Sequence, residues 1–162
     1  RTFQPDVIAV PGYYTEAALI CRQARELGLA SIIIGGDGWE APQLTGLGGR
    51  AVEDAYYSTG FSADNSAPHV REFVRKFRIR WDNENPDSTA ALGYDAMMLY
   101  ADAIRRAGTP DSPALRDAIA ATKDFPGGTG RSTIDRERNA TKSAVIMRVK
   151  NGRTEFVETV DP

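Results

Sequence analysis

The sequence predicts an α/β fold, a parallel sheet flanked by helices with parts of two lobes. Two observations predict the sheet. Short runs rich in β-branched residues stand on either side of an amphipathic stretch, and each run ends in a glycine-containing turn. Strand, helix and strand within about 30 residues make a parallel βαβ unit with a right-handed crossover. The third observation predicts the two lobes. Two loops of unusual composition, near 60–68 and 124–130, bracket a block that reads as helices alone.

The first strand is Asp6-Val7-Ile8-Ala9-Val10, closed by Pro11-Gly12. Thr15 is placed to cap the following helix, with Glu16 in its first turn beside the positive end of the helix dipole. Ala17, Ile20, Ala24 and Leu27 form its apolar stripe, and Gly28 stops it. Ser31-Ile32-Ile33-Ile34 is the second strand and ends at Gly35-Gly36-Asp37-Gly38. A short helix over 41–47 precedes a third strand over 55–59. After the polar loop 60–68, Val70, Phe73, Val74, Phe77 and Trp81 mark the apolar face of a helix, and the arginines from Arg71 to Arg80 mark its solvated face. Residues 89–107 form a longer helix, apolar nearly all round and so expected to be mostly buried. Ser112-Pro113 opens another by N-cap and N1 preference, with Leu115 and Ile119 inward. The glycine-rich stretch 125–130 reads as hinge-like. Beyond it, strands over 143–149 and 154–160 flank Asn151-Gly152, a type I′ hairpin signal.

The bulk composition narrows the function classes. The chain has 162 residues, 41% hydrophobic and 26% charged, which suits a globular domain with a real core. A formal net charge of −2 gives no electrostatic case for nucleic acid. No apolar run approaches the ~20 residues that span a bilayer. The single cysteine, Cys21, excludes an internal disulfide and a cysteine-rich metal site, and its place on a helix predicts a buried, inert thiol. The single histidine, His69, sits at a helix start, as an exposed first-turn residue rather than part of a catalytic relay. Neither nucleotide-binding glycine fingerprint is present, and no cofactor is expected.

Ligands of open parallel sheets sit outside the carboxyl ends of the strands. Tyr13 and Asp37 stand at equivalent ends of the first two strands, flanked by glycines that let backbone approach a ligand closely. An aspartate there can accept charge-assisted hydrogen bonds from an ammonium group, and a tyrosine supplies an aromatic wall and a hydroxyl. The same residues also fit a plain turn, with Asp37 bonding its own backbone and Tyr13 packing. A small enzyme using Asp37 lacks a second catalytic group at a recognisable spacing.

Several motifs resemble one family in one order. They are Pro11-Gly12-Tyr13-Tyr14-Thr15-Glu16-Ala17-Ala18, Arg22-Gln23-Ala24-Arg25-Glu26-Leu27-Gly28, Gly35-Gly36-Asp37-Gly38-Trp39, Ala90-Ala91-Leu92-Gly93-Tyr94-Asp95-Ala96 and Phe125-Pro126-Gly127-Gly128-Thr129-Gly130. This ordered set resembles the branched-chain amino-acid (leucine/isoleucine/valine) binding proteins of bacterial ABC transporters, which are type I periplasmic binding proteins. The resemblance covers nearly the whole chain and implies its C-terminal-half character. It implies two α/β lobes joined by three crossings, with residues 1–60 and 127–162 in the second lobe and 61–126 as helices of the first. The family's N-terminal half is then absent from the chain.

By the same resemblance Tyr13 lines the ligand pocket and Asp37 binds the ligand's ammonium group, where the leucine binder carries a glutamate. The implied role is capture of an amino acid without catalysis, in the periplasm or outside the cell, for a membrane permease. A ligand-sensing domain on the same fold is the alternative. The implied partners are the solute, the permease, and either the missing N-terminal segment or a second copy.

Overall fold

The computed structural model describes residues 4–162; the first three residues of the segment assigned to 1–60 lie outside it. The chain folds as two compact units. Unit 1 holds residues up to Thr59 together with Val145–Thr159; unit 2 holds Gly60–Ala144 and Val160–Pro162.

Unit 1 is built on the βαβ unit read from the sequence. Strands β1 (Val7–Val10), β2 (Ile32–Gly35) and β3 (Tyr56–Thr59) run parallel, with Val7 opposite Ile32 and Ile34 opposite Tyr56. The sheet then continues through a strand pair that returns from the far end of the chain. β7 (Ala144–Lys150) lies antiparallel to β3, and β8 (Arg153–Val160) completes the order β1-β2-β3-β7-β8. Asn151 and Gly152 both take positive φ, 52° and 70°, as a two-residue type I′ hairpin requires.

Helix α1 (Tyr14–Glu26) packs on one face of this sheet beside α2 (Gln43–Gly48). Its buried residues are Ala17, Ala18, Cys21 and Ala24, all small, so the helix can sit close to Val10 and Ile33. The expected stripe is corrected in part: Ile20 and Leu27 are exposed, because the contact is made by the small side chains of the adjoining row. Nor does Thr15 cap the helix. Tyr13 is the N-cap, in extended geometry and without a side-chain cap bond, and the helix is already under way at Tyr14. Gly28 closes it with φ of 78°. The opposite face of the sheet exposes Val7, Ile32 and Ile34. Parallel strands ordinarily have both faces covered, and the alternating burial here shows only one covered.

Unit 2 carries α3 (Pro68–Arg80), α4 (Ser88–Ala107) and α5 (Ser112–Ala120). Proline opens α3 and α5, whose N-caps are Ala67 and Asp111 rather than Ser112. Asp87 caps α4 by accepting from the Ala90 N–H at 2.7 Å, and Gly108 ends it in the left-handed conformation. The core is Phe61, Val70, Phe73, Val74 and Ala91, with Phe61 edge-on to Phe73 at 5.7 Å. Trp81 lies past the end of α3 and is exposed, not part of the buried face. Arg106 ties α4 to α5 by donating to Ala118 O at 2.6 Å and Thr122 Oγ1 at 2.8 Å. The expectation that α4 is mostly buried is corrected. Met97 is 65% exposed, and Leu92, Tyr94, Met98 and Tyr100 are also exposed, because among the described residues only the Ala91–Asp95–Ala103 side of α4 is covered.

The glycine-rich stretch is a hairpin, not a loose hinge. β4 (Phe125–Gly127) pairs antiparallel with β5 (Gly130–Ile134), which pairs in turn with β6 (Ala140–Thr141). Residues 127–144, which the family resemblance groups with residues 1–60, fall by their contacts in the unit that carries the helices. The pairing of β4, β5 and β6 with one another, and the contact of β4 with α4, hold them there.

Cys21 is fully buried, and burial pushes its thiol above the ordinary value, with Arg25 opposing in part. Native protein should therefore react with a thiol reagent far more slowly than unfolded protein. Equal rates would show that α1 does not rest on the sheet as described.

Candidate ligand-binding site

The carboxyl ends of β1 and β2 are held together by one side chain. Trp39 is fully buried, and its indole N–H donates to Val10 O at 3.1 Å. The ring lies where a Cβ of residue 35 would stand; a carbon built on Gly35 would meet it at 2.1 Å. Glycine at 35 is thus required by packing. The following residues wind into a 3-10 turn over Asp37–Trp39, closed by Trp39 N–H to Gly36 O at 3.1 Å and Glu40 N–H to Asp37 O at 3.0 Å.

This turn brings the two expected site residues to one place. A Cβ on Gly38 would lie 2.7 Å from Gly12 O and 3.1 Å from the ring of Tyr13, so the backbone beside Asp37 rests against Gly12 and Tyr13. Tyr13 is 71% exposed, and Asp37 is exposed as well. Both residues follow the carboxyl ends of adjacent parallel strands, the position where open α/β sheets hold ligands.

Glu40 is a further acid that sequence reading passed over. It is half-buried, and its carboxylate accepts a short hydrogen bond from the hydroxyl of Thr59, the last residue of β3. Thus all three parallel strands end at this turn. Beneath, burial and then the Glu40 carboxylate push the Tyr57 hydroxyl up to about 12, against a hydrogen bond with Thr154 that lowers it. The pairing of residues 19 apart leaves no mark in a local pattern; a polar residue at a strand's end is its only signal.

The other residues weighed for chemistry lie elsewhere. His69 is exposed on the first turn of α3, and the Arg71 to Arg80 row is exposed, with Glu72 bonded to Arg75 and Lys76. Among the described residues no group of three His, Cys, Asp or Glu side chains is placed to hold a metal. No helix of the described residues is long and apolar enough to cross a membrane. A groove of about 420 Å³ in unit 2 runs between α3 and α4, walled by Phe73, Phe77, Trp81, Tyr94 and Met98. It is a largely apolar surface of the helical unit.

A mixed sheet with helices, and a polar rim at the carboxyl ends of its parallel strands, is the architecture of one lobe of a solute-binding protein. Residues 1–154 match the family described as periplasmic binding protein, and the chain belongs to that family. It resembles, in particular, the branched-chain amino-acid binders, as the sequence motifs implied. The leucine-binding protein LivK of Thermotoga maritima is 41% identical, superimposes with a TM-score of 0.86, and shares 98% of this chain and 45% of its own. LivJ of Streptococcus pneumoniae, solved in complex with isoleucine, is 36% identical with a TM-score of 0.80 over 97% of this chain and 45% of its own. Among curated proteins, the Leu/Ile/Val-binding protein homolog 1 of Brucella suis is 28% identical over 88% of this chain and 38% of its own length. The chain therefore spans about two-fifths of the curated relatives it matches, and the expected α/β periplasmic-binding-protein fold is borne out.

Two outcomes are expected here. Gly35→Ala drives a methyl into the Trp39 ring and should destabilise unit 1 by about 1–3 kcal/mol, with a red shift of Trp39 emission. A thermal unfolding curve and spectrum equal to those of the parent protein would contradict that packing. The raised Tyr57 predicts a late-titrating phenol. Its neutral form is the one favoured in the fold, so its contribution to stability is intact below the ordinary value of 10 and is lost as pH rises through about 12. Phenolate absorbance should show that late step, and Tyr57→Phe should remove it; a titration unchanged by the substitution would refute the assignment.

Proposed function

We propose that this chain is the C-terminal half of a substrate-binding protein of an ABC transporter, and that it holds a branched-chain or similar small amino acid without catalysis. Asp37 receives the solute's ammonium group and Tyr13 forms an aromatic wall beside it. One observation carries this reading: the seating of Gly38 against Gly12 and Tyr13, which sets the exposed carboxylate and the exposed ring at the ends of neighbouring parallel strands. Its relatives support the solute class, since one is named a leucine-binding protein and another was solved with isoleucine.

Unit 1 then belongs to the lobe that carries Tyr13 and Asp37, and the helices of unit 2 belong to the other lobe of the family fold. The bare faces fit that division. Val7, Ile32 and Ile34 on the sheet, and Met97 and Met98 on α4, are exposed apolar residues of the kind a complementary segment or a second copy would cover. The protein would act in the periplasm or outside the cell and deliver its solute to a membrane permease.

Calorimetric titration tests the reading, with leucine, isoleucine, valine and alanine added to the chain joined to the segments its full-length relatives carry. Binding of one of these is expected. Asp37→Ala should weaken it by about 2–5 kcal/mol, because a buried ammonium loses its counter-charge. An unchanged dissociation constant would remove Asp37 from the site, and absence of binding by the parent protein would overturn the solute class.

A further inference from the structure

The chain passes between its two units at three junctions, Thr59–Gly60, Ala144–Val145 and Thr159–Val160. In unit 1 the first two leave side by side, because Thr59 of β3 stands opposite Val145 of β7, and β8 is the next strand over. In unit 2, side chains take up the same three links within one or two residues. Lys142 Nζ donates to Gly60 O at 3.0 Å, and Ser143 Oγ donates to Asp161 Oδ1 at 2.8 Å. The first link is thus tied to the second, and the second to the third.

The tie is anchored in the interior of unit 2. Lys142 Nζ also donates to Thr129 Oγ1 at 2.8 Å. That hydroxyl spends its one proton on Asp95 Oδ2 at 2.6 Å, so its lone pairs are left for the ammonium. Asp95, buried on α4, accepts two more bonds, from the Gly128 N–H at 2.6 Å and the Thr129 N–H at 2.8 Å. The glycines make room for this arrangement: a Cβ on Gly127 would strike the Asp95 carboxylate at 2.3 Å, and one on Gly128 would strike Phe73 at 2.8 Å. Lys142 is half-buried, and burial pulls its ammonium below the ordinary lysine value while Asp95 opposes the change. Bonds so shielded from water compete with it less than those of a surface lysine.

We propose that Lys142 is a positioning residue that clamps the first two inter-unit links into one block on the unit 2 side, through Thr129 and Asp95, with Ser143 adding the third link by its own bond to Asp161. Bending between the units is then confined to the few backbone bonds at the junctions themselves. This inference rests on the reading that the two units are parts of two lobes that move about a ligand; it does not depend on which solute is bound.

Hydrogen exchange read by mass spectrometry, on the chain without ligand, tests the clamp. Lys142→Met keeps the apolar stem and removes the donors. Amides of residues 60–63, 128–130 and 143–145 should exchange about tenfold faster, as loss of shielded hydrogen bonds implies. Those of α1, β1 and β2 should keep the parent rates. Lys142→Arg, which retains charge and donors, should restore most of the protection. Thr129→Val keeps the buried shape and removes only the hydroxyl, so it serves if the methionine variant does not fold, and it should loosen the same three segments. Unchanged rates at the links, in whichever variant folds, would overturn the clamp. So would a rise spread evenly over the chain, which would mark Lys142 as a stability residue only. No ligand enters the measurement, so failure of the protein to bind an amino acid would leave this result standing, and the reverse.

Discussion

The candidate site depends on the contact between the Trp39 indole and Gly35. Two adjacent parallel strands end at Val10 and Gly35, and nothing in strand pairing alone decides where the chain goes next. The indole settles it. Its ring fills the space above Gly35 and its N–H donates to the Val10 carbonyl at the end of the neighbouring strand. The chain between Gly35 and Trp39 is then too short for anything but a tight turn, and that turn lays Gly38 on Gly12 and Tyr13. Asp37 is presented to solvent because Trp39 is not.

Unit 2 solves a similar problem with a charge in place of a ring. The turn between β4 and β5 carries backbone N–H groups at Gly128 and Thr129 that need a partner inside unit 2, and the Asp95 carboxylate accepts from both. In each unit a glycine stands where a distant side chain must come within contact of the backbone. These glycines serve close packing, which a flexible linker would not require. The two devices also differ in what they leave open. The indole closes off the interior and leaves a carboxylate free at the rim, whereas Asp95 is itself consumed in holding the turn and the lysine beyond it.

Much of the fold was legible because its signals are local. The β-branched runs at Val7 and Ile32 became strands, Gly28 and Gly108 ended helices, and Asn151-Gly152 formed the hairpin, each for a reason contained within a few residues. Tyr13 and Asp37 stood out by their place at strand ends, and the fold brings their turns into contact. What escaped was non-local. Gly127 and Gly128 read as a hinge because the residues that require them, Asp95 and Phe73, lie more than thirty positions away. Glu40 was passed over because its partner Thr59 arrives only with the third strand. The burial of α4 was overread for a related reason. An apolar surface tells that a helix wants cover, and not whether the same chain provides it.

The structure of a Trp39→Phe variant tests the central dependence most directly. Phenylalanine keeps an aromatic body and removes the N–H that holds Val10 O. The turn over residues 36–40 should shift away from Gly12 and Tyr13 while β1, β2 and the Ala17–Cys21–Ala24 face of α1 stay in place. A variant whose turn superimposes on the parent, with Gly38 still seated against Tyr13, would show that strand pairing alone sets the site and that the indole is an ordinary core residue.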